Sequence, residues 1–244
     1  MSNTAIIIPT RLGARRLPNK PLIEIKGVPM IIHVMNQAKQ SEVGEVFVAT
    51  PDVEIIDIVE KNGGKAILTN KNHKTGSDRV YEAYTKDLKE IGLDFIINLQ
   101  GDMPSISPNA ISKLNQFMRN NNCDIGTLAA FCKNEKEIAD ANVVKVRVDE
   151  YLHKDNFLNA KDFFRVQKDL KNEKIYHHIG IYAFTKDALT KYVRLSRSKL
   201  EIERNLEQMR AIENNLVIKV GLSDSMPLGV DTESDLKKII KEMN

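Results

Sequence analysis

The sequence predicts an α/β fold with a doubly wound, mainly parallel sheet, and two observations predict it. Through the first half, short β-branched runs alternate with segments of helical apolar period, giving the order βαβαβαβ. Two turn-rich segments, one basic and one acidic, stand directly after strands, where such sheets gather loops, helix N-termini and ligands.

Taken in order, AIIIPT reads as a buried strand. MIIHVMNQAKQ repeats apolar residues at Met30, Ile31, Val34, Met35 and Ala38, the stripe of a helix lying on a sheet. EVFVAT is a strand, VEIIDIVEKNGG a helix stopped by Gly63 and Gly64, and KAILTN a further strand. SDRVYEAYTKDLKE is a helix with Val80, Tyr84 and Leu88 on one face and Ser77 or Asp78 as N-cap, and FIINLQ is a strand ending in the turn GDMP. In the second half DIGTLAAF, NVVKVRVD, HIGIYAF and LVIKVGLS read as strands, and DALTKYVRL, LEIERNLEQMRAIENN and TESDLKKIIKEMN as helices. The polar stretch from Asn156 to Lys174 yields no element. With no Gly-, Ser- or Pro-rich linker and no internal repeat, the expectation is one compact domain over 1–244, with an inserted or appended subdomain after about residue 125.

Composition narrows the function classes. Of 244 residues, 42% are hydrophobic and 28% charged, which is ordinary for a soluble globular chain and argues against disorder. Lys and Arg number 36 against 33 Asp and Glu, a net +3 with interspersed signs, so no basic face for nucleic acid is expected. No apolar stretch approaches the roughly 20 residues that cross a bilayer, so no membrane partner is expected. Cys123 and Cys132 form no CxxC pair and no secretory leader precedes the first strand, so a reducing cytoplasm is the expected location.

The segment IIIPTRLGARRLPNKPL gathers Arg11, Arg15, Arg16 and Lys20 on a loop holding Gly13, Pro18 and Pro21. Cations so close repel one another unless water, an internal carboxylate or an anionic ligand offsets them. A glycine after a strand lets consecutive N–H groups face a phosphate, and arginines add forked donors. The loop is either such an anion cradle or a solvated charged turn; GxxxxGK[ST] is absent, which excludes the usual ATPase P-loop. In NLQGDMP, Asp102 stands at a strand end on a tight turn, either a hard oxygen ligand for Mg²⁺ or an ordinary turn aspartate. In LGVDTESDL, Asp231 or Thr232 caps the helix that follows, unless Asp231 converges on Asp102, which would require a cation between them. His178 and Tyr182 fall on one face of a strand, and Glu207 and Gln208 on a helix whose apolar stripe is Ile202, Leu206 and Met209, where a solvated flank is the plainer explanation. The histidines form no HExxH or paired Cys/His pattern, so zinc is not expected.

Read together and in order, IIIPTRLGARRLPNKPL, TGSDR, NLQGDMP, NVVKV, HHIGIYAF, NLEQMR and LGVDTESDL resemble the 3-deoxy-manno-octulosonate cytidylyltransferases across essentially the whole chain. The resemblance implies a Rossmann-like fold of the nucleotide-diphospho-sugar transferase type, with a nucleotide-binding part over about 1–125, a smaller sugar-binding and dimerising part over about 126–222, and a return to the first part over 223–244. It implies the reaction of CTP with the acidic eight-carbon sugar Kdo to give CMP-Kdo and pyrophosphate for lipopolysaccharide core synthesis, with Mg²⁺ as cofactor, by a homodimer.

Carried residue by residue, the resemblance makes Arg11, Lys20, Asp102 and Asp231 catalytic, with Asp102 and Asp231 holding the metal. Pro9, Arg11, Arg16, Lys20, Thr75 and Ser77 are expected at the nucleotide, Arg15 lies beside them, and Gly76 belongs to the same turn. Arg79, Gln100, Arg165, His178, Tyr182, Glu207 and Gln208 are expected at the sugar. The chain departs from the family pattern at Met103 in place of Glu, Asn19 in place of Gly, Lys199 in place of Pro, and in the lack of an IP dipeptide after Arg165. The expected chemistry is in-line attack of the sugar's anomeric hydroxyl on the α-phosphorus, without a covalent enzyme intermediate. The alternatives are a cytidylyltransferase for a nonulosonic acid or 8-amino-Kdo, and a non-catalytic nucleotide-binding protein.

Overall fold

A computed structural model describes residues 3–13, 16–167, 170 and 173–243. The chain divides into two compact units, residues 1–115 with 227–244, and residues 116–226.

The first unit opens with β1 (Thr4–Pro9), every residue of which is buried. The chain then forms a small hairpin, β2 (Glu24–Ile25) and β3 (Val28–Pro29), and continues through α1 (Met30–Gln40), β4 (Glu45–Thr50), α2 (Val53–Lys61), β5 (Lys65–Leu68), α3 (Gly76–Ala83) and β6 (Phe95–Leu99). The strands β5, β4, β1 and β6 lie in that order, all parallel, with Ile7 opposite Phe47 and Ile6 opposite Ile97. Strands covered on both faces are mostly apolar, which is why β1 and β6 read as near-continuous runs. Val80 of α3 is fully buried, whereas Tyr84 and Leu88 lie beyond α3 on a π-helical turn that ends in a short 3₁₀ turn. The N-cap of α3 is Thr75, whose hydroxyl accepts from the Asp78 amide at 3.2 Å. That corrects the expectation of Ser77 or Asp78.

Helix α4 (Pro108–Asn120) carries the chain onward into the second unit. There follow β7 (Ile125–Phe131), α5 (Glu135–Ala139), β8 (Lys145–Val148), β9 (Phe157–Asn159), β10 (Asp162–Phe164), β11 (Lys174–Thr185), α6 (Lys186–Arg194), α7 (Lys199–Arg204), α8 (Met209–Glu213) and β12 (Ile218–Leu222). Here pairing is mixed: β11 runs antiparallel to β7 and β8, β12 parallel to β7 and antiparallel to β9, and β10 antiparallel to β8. The stretch read as structureless therefore holds two short strands, β9 and β10.

The long helix expected over LEIERNLEQMRAIENN is broken. Asn205 takes φ 52°, ending α7, and Glu207 and Gln208 sit in the turn before α8 rather than on a helix. Asparagine visits the left-handed region at little cost, so nothing in the apolar period announces the break. Lys199 stands at the first helical position of α7, where proline's fixed φ would help. The capping box between Ser198 and Glu201 is intact, so that departure leaves the helix start in place.

Gly221 of β12 faces Phe157 of β9, whose ring stacks on Phe117 at 3.7 Å between centroids. A Cβ on Gly221 would lie 2.2 Å from that ring. Gly221→Ala is therefore expected to lower stability by about 1–3 kcal/mol in a denaturant titration; an unchanged midpoint would contradict this packing.

Finally α9 (Glu233–Glu242) returns to the first unit, capped by Thr232 in a box with Asp235. It packs Ile239 and Leu236 with Val230 against Leu17, Ile25 and Met30, one apolar cluster joining the C-terminal segment to the opening hairpin.

Candidate functional site

That cluster determines where the charges meet. Packing of Val230 and α9 on Leu17 and Ile25 brings Asp231 to Lys20, 211 residues away in sequence. The Val230 amide donates to the Asp102 carbonyl at 2.9 Å, and the Leu228 amide to the Ser105 hydroxyl at 3.0 Å, so the C-terminal segment is pinned beside the strand-end turn. Lys20 Nζ then reaches Asp102 Oδ2 at 2.9 Å and Asp231 Oδ1 at 3.0 Å, while Arg16 Nη2 reaches Asp231 Oδ2 at 3.0 Å.

Two carboxylates thus converge on one ammonium. Burial alone would lower the Lys20 pKa, but Asp102 and Asp231 outweigh it and hold it above its ordinary value. Burial would likewise raise Asp231, and Lys20 and Arg16 overcome that and hold its carboxyl low. Lys20 opens a 3₁₀ turn, Lys20–Leu22, that follows Asn19 at φ 54°. A glycine fits that left-handed position without cost, and asparagine tolerates it better than most residues, so the Asn19 departure preserves the turn. Met103 is buried, contributing to packing where the family pattern carries a charge.

Beside this cluster lies a cleft of about 450 Å³ lined by Pro9, Thr10, Arg11, Gly13, Lys20, Pro21, His73, Lys74, Thr75, Gly76, Arg79, Gln100, Gly101 and Asp102. It collects the cations Arg11, Lys20, Lys74 and Arg79 near the N-terminus of α3, where the helix dipole adds positive potential. Burial and the neighbouring Arg11 hold the Arg79 guanidinium below its ordinary value, against the pull of Asp52 and Glu82. Such a site suits a polyanion.

The expected nucleotide residues fall unevenly around the cleft. Pro9, Arg11, Lys20 and Thr75 line it. Ser77 is buried, and its hydroxyl accepts from Asn98 Nδ2 at 3.3 Å, while Gln100 Nε2 donates to Asn98 Oδ1 at 3.0 Å. Ser77 therefore supports Gln100 through Asn98 and stands outside the lining. Arg16 is exposed and reaches the site through Asp231. Arg15 lies outside the described residues. Arg79 lines the cleft, but its Nη1 donates to Thr69 Oγ1 at 2.5 Å and to the Asn70 carbonyl at 3.2 Å, so the guanidinium also braces the loop before α3.

In the second unit, His178, Tyr182 and Glu207 come together. The His178 and Tyr182 rings are 5.3 Å apart although β11 bulges between Ile179 and Tyr182, an irregularity that a strict period of two does not contain. Burial, then the charge of His177, pushes His178 down to about 3, so its ring is neutral across physiological pH, and its Nε2 lies 3.0 Å from the Thr127 hydroxyl. Burial and then the Glu207 charge push the Tyr182 hydroxyl well above its ordinary value. The turn carrying Glu207 and Gln208 is held by groups that spacing did not reveal. The Tyr192 hydroxyl donates to the Glu207 carbonyl at 2.7 Å, and buried Arg210 makes a two-pronged pair with Glu201 at 2.7 and 2.8 Å. Arg165 stands with a different set: its Nη1 donates to the carbonyls of Ala141 at 3.2 Å and Asn142 at 3.0 Å, beside a cleft of about 300 Å³ shared with Phe164, Gln167, Glu203 and Arg204.

Sequence reasoning missed His73 and Lys74, which line the cleft, although their adjacency to TGSDR was a usable signal. Among the described residues no group of three or more metal-ligating side chains occurs, and no helix is long and apolar enough to cross a membrane.

Comparison with known proteins extends the geometry. A family model described as cytidylyltransferase matches residues 5–220. A protein of Bartonella henselae named 3-deoxy-manno-octulosonate cytidylyltransferase is 43% identical over 236 residues, covering 97% of this chain and 96% of that one. A Rhodopseudomonas palustris protein of the same name is 42% identical over 97% of this chain and 96% of its own length. Among solved structures, a CMP:2-keto-3-deoxy-manno-octonic acid synthetase complexed with CTP superimposes with a TM-score of 0.87 at 36% identity, covering 99% of this chain and 98% of that one.

Proposed function

The chain belongs to the 3-deoxy-manno-octulosonate cytidylyltransferases, a family of nucleotidyltransferases, and from that premise we propose how its own residues transfer CMP from CTP to Kdo with release of pyrophosphate. The observation that carries the site assignment is the convergence of Asp102, Asp231 and Lys20 at one end of a cation-lined cleft.

The physical problem is to join two anions, a sugar acid and a triphosphate. Arg11, Lys20 and Lys74 offset the triphosphate charge, and the amides at the start of α3 add fixed donors. For the acceptor, the family resemblance assigns Gln100, which Asn98 holds, and Arg79 in the first unit, and His178, Tyr182, Glu207, Gln208 and Arg165 in the second. Kept neutral, the His178 ring provides hydrogen bonds without adding charge. The anomeric hydroxyl attacks the α-phosphorus in line and gives up its proton to solvent, and the bond from that phosphorus to pyrophosphate breaks.

Mg²⁺ fits the acidic pair. Two hard oxygen donors already share a single cation, and magnesium is typically held by one or two carboxylates together with substrate phosphates. Asp102 and Asp231 would hold it, and when bound it supplies charge neutralisation at the triphosphate. The remaining assignments follow from the family: a cytoplasmic homodimer that supplies lipopolysaccharide core synthesis.

The test is pyrophosphate release from CTP and Mg²⁺ with Kdo, with sialic acid, with 8-amino-Kdo and with no acceptor. Release is expected with Kdo and at background level with sialic acid or no acceptor. Faster turnover with one of the other acids would reassign the acceptor, and CTP binding without release under any acceptor would favour a non-catalytic role.

A further inference from the structure

The basic loop that follows β1 is held from outside itself. Thr10 continues the β1 ladder by one bond, its amide donating to the Ala49 carbonyl at 2.9 Å. Two residues later the Leu12 amide donates to Asp52 Oδ2 at 2.8 Å, across 40 residues of sequence. Asp52 is the N-cap residue of α2, where an aspartate ordinarily accepts from its own helix's second or third amide. Here the side chain makes no such cap; the Asp52 backbone carbonyl takes the Ile55 and Ile56 amides, leaving the carboxylate for Leu12. Asp52 is itself fixed, its amide donating to the hydroxyl of buried Thr50 at 3.2 Å. Leu12 lies between Arg11 and Gly13, both of which line the cleft, and the Asp52 carboxylate acts electrostatically on Arg79, which lines it too.

We propose that Asp52 is a positioning residue for nucleotide binding: its hydrogen bond to the Leu12 amide fixes the path of the loop so that Arg11 and Gly13 face the cleft before CTP arrives. This rests on the assignment of the cleft to the nucleotide. A loop ordered in advance does not lose that freedom on binding, so the bond stabilises the complex without touching the ligand. The bond also spends the Leu12 amide, so the loop's phosphate donors are its neighbours rather than Leu12 itself.

Asparagine preserves an acceptor oxygen at the same place without the charge, and alanine removes it. In the full-length protein, Asp52→Ala is expected to raise the dissociation constant for CTP, measured by titration calorimetry with Mg²⁺ and no acceptor, about tenfold. KM for CTP should rise in parallel, with KM for Kdo and kcat within about twofold of the parent chain. Asp52→Asn is expected to restore CTP affinity to within about threefold. Unchanged CTP affinity in Asp52→Ala would overturn the proposal, as would an Asp52→Asn variant as weak as the alanine one. Should the alanine variant not fold, Asp52→Ser, which can still cap α2 but is too short to reach Leu12, carries the same comparison. Turnover of the parent chain, measured alongside, separates the two claims: its absence would tell against the cytidylyltransferase assignment, whereas CTP binding indifferent to Asp52 removes only the positioning role.

Discussion

Asp102→Asn and Asp231→Asn are each expected to lower kcat by about 10²–10³-fold, a loss of the size seen when a preorganised charge at a reacting phosphate is removed. Both substitutions preserve shape and remove one negative charge. The fold should survive, because Asp102 anchors the C-terminal segment through its backbone carbonyl, and the Asp231 amide has its own acceptor in Asp235. A thermal scan should therefore find each variant folded, while the Mg²⁺ concentration needed for half-maximal rate rises. Full activity in either variant would refute its place in the metal site.

Lys20→Met should produce a loss of similar size in kcat, together with a stability change whose pH dependence identifies its cause. Without the ammonium, Asp102 and Asp231 lose the cation they share, while Arg16 stays paired to Asp231. In the parent chain the Lys20 pKa is raised above 10.5, so its contribution to folding is fully present below that value and is lost as pH rises through the higher folded value. The Asp231 pKa is lowered below 3.8, so its contribution is present above that value and is lost as pH falls through the lower folded value. The difference in unfolding midpoint between parent and Lys20→Met is therefore expected to be greatest between these limits and to shrink in acid as Asp231 protonates. A difference that does not vary with pH would indicate lost packing of the lysine stem instead.

The two results bear on how four cations on one short loop are tolerated. Two of them are answered by carboxylates from elsewhere in the chain: Lys20 by Asp102 and Asp231, and Arg16 by Asp231. Arg11 remains directed into the cleft, and Asp52 holds the backbone next to it. Under the proposed assignment, a triphosphate entering the cleft would compete with Asp102 and Asp231 for Lys20.

Much of this was legible in the sequence, for specific reasons. Strands β1, β4 and β6 are largely buried in a parallel sheet and so appear as short, mostly apolar runs, and Asp102 follows β6 at a Gly-bearing turn that local chemistry makes visible. The meeting of Asp231 with Lys20 was not legible from spacing, because it depends on the apolar cluster of Leu17, Ile25, Val230 and Ile239, and a packing contact leaves no periodic trace across 211 residues. The two-residue strands of the β2–β3 hairpin are too short for any pattern. The break at Asn205 was hidden because an asparagine in a left-handed turn looks like any polar residue on a helix flank. Thr75, Ser77 and Asp78 are equally good capping types for α3, and only the backbone path decides among them.

Phosphorus NMR of the chain mixed with CTP, Kdo and Mg²⁺ tests CMP transfer to the sugar directly. The CTP signals are expected to decline while one phosphodiester resonance, from the α-phosphorus now bonded to the sugar, and the pyrophosphate resonance grow in equal molar amounts. Persistence of intact CTP, or its conversion to CDP and inorganic phosphate, would contradict it.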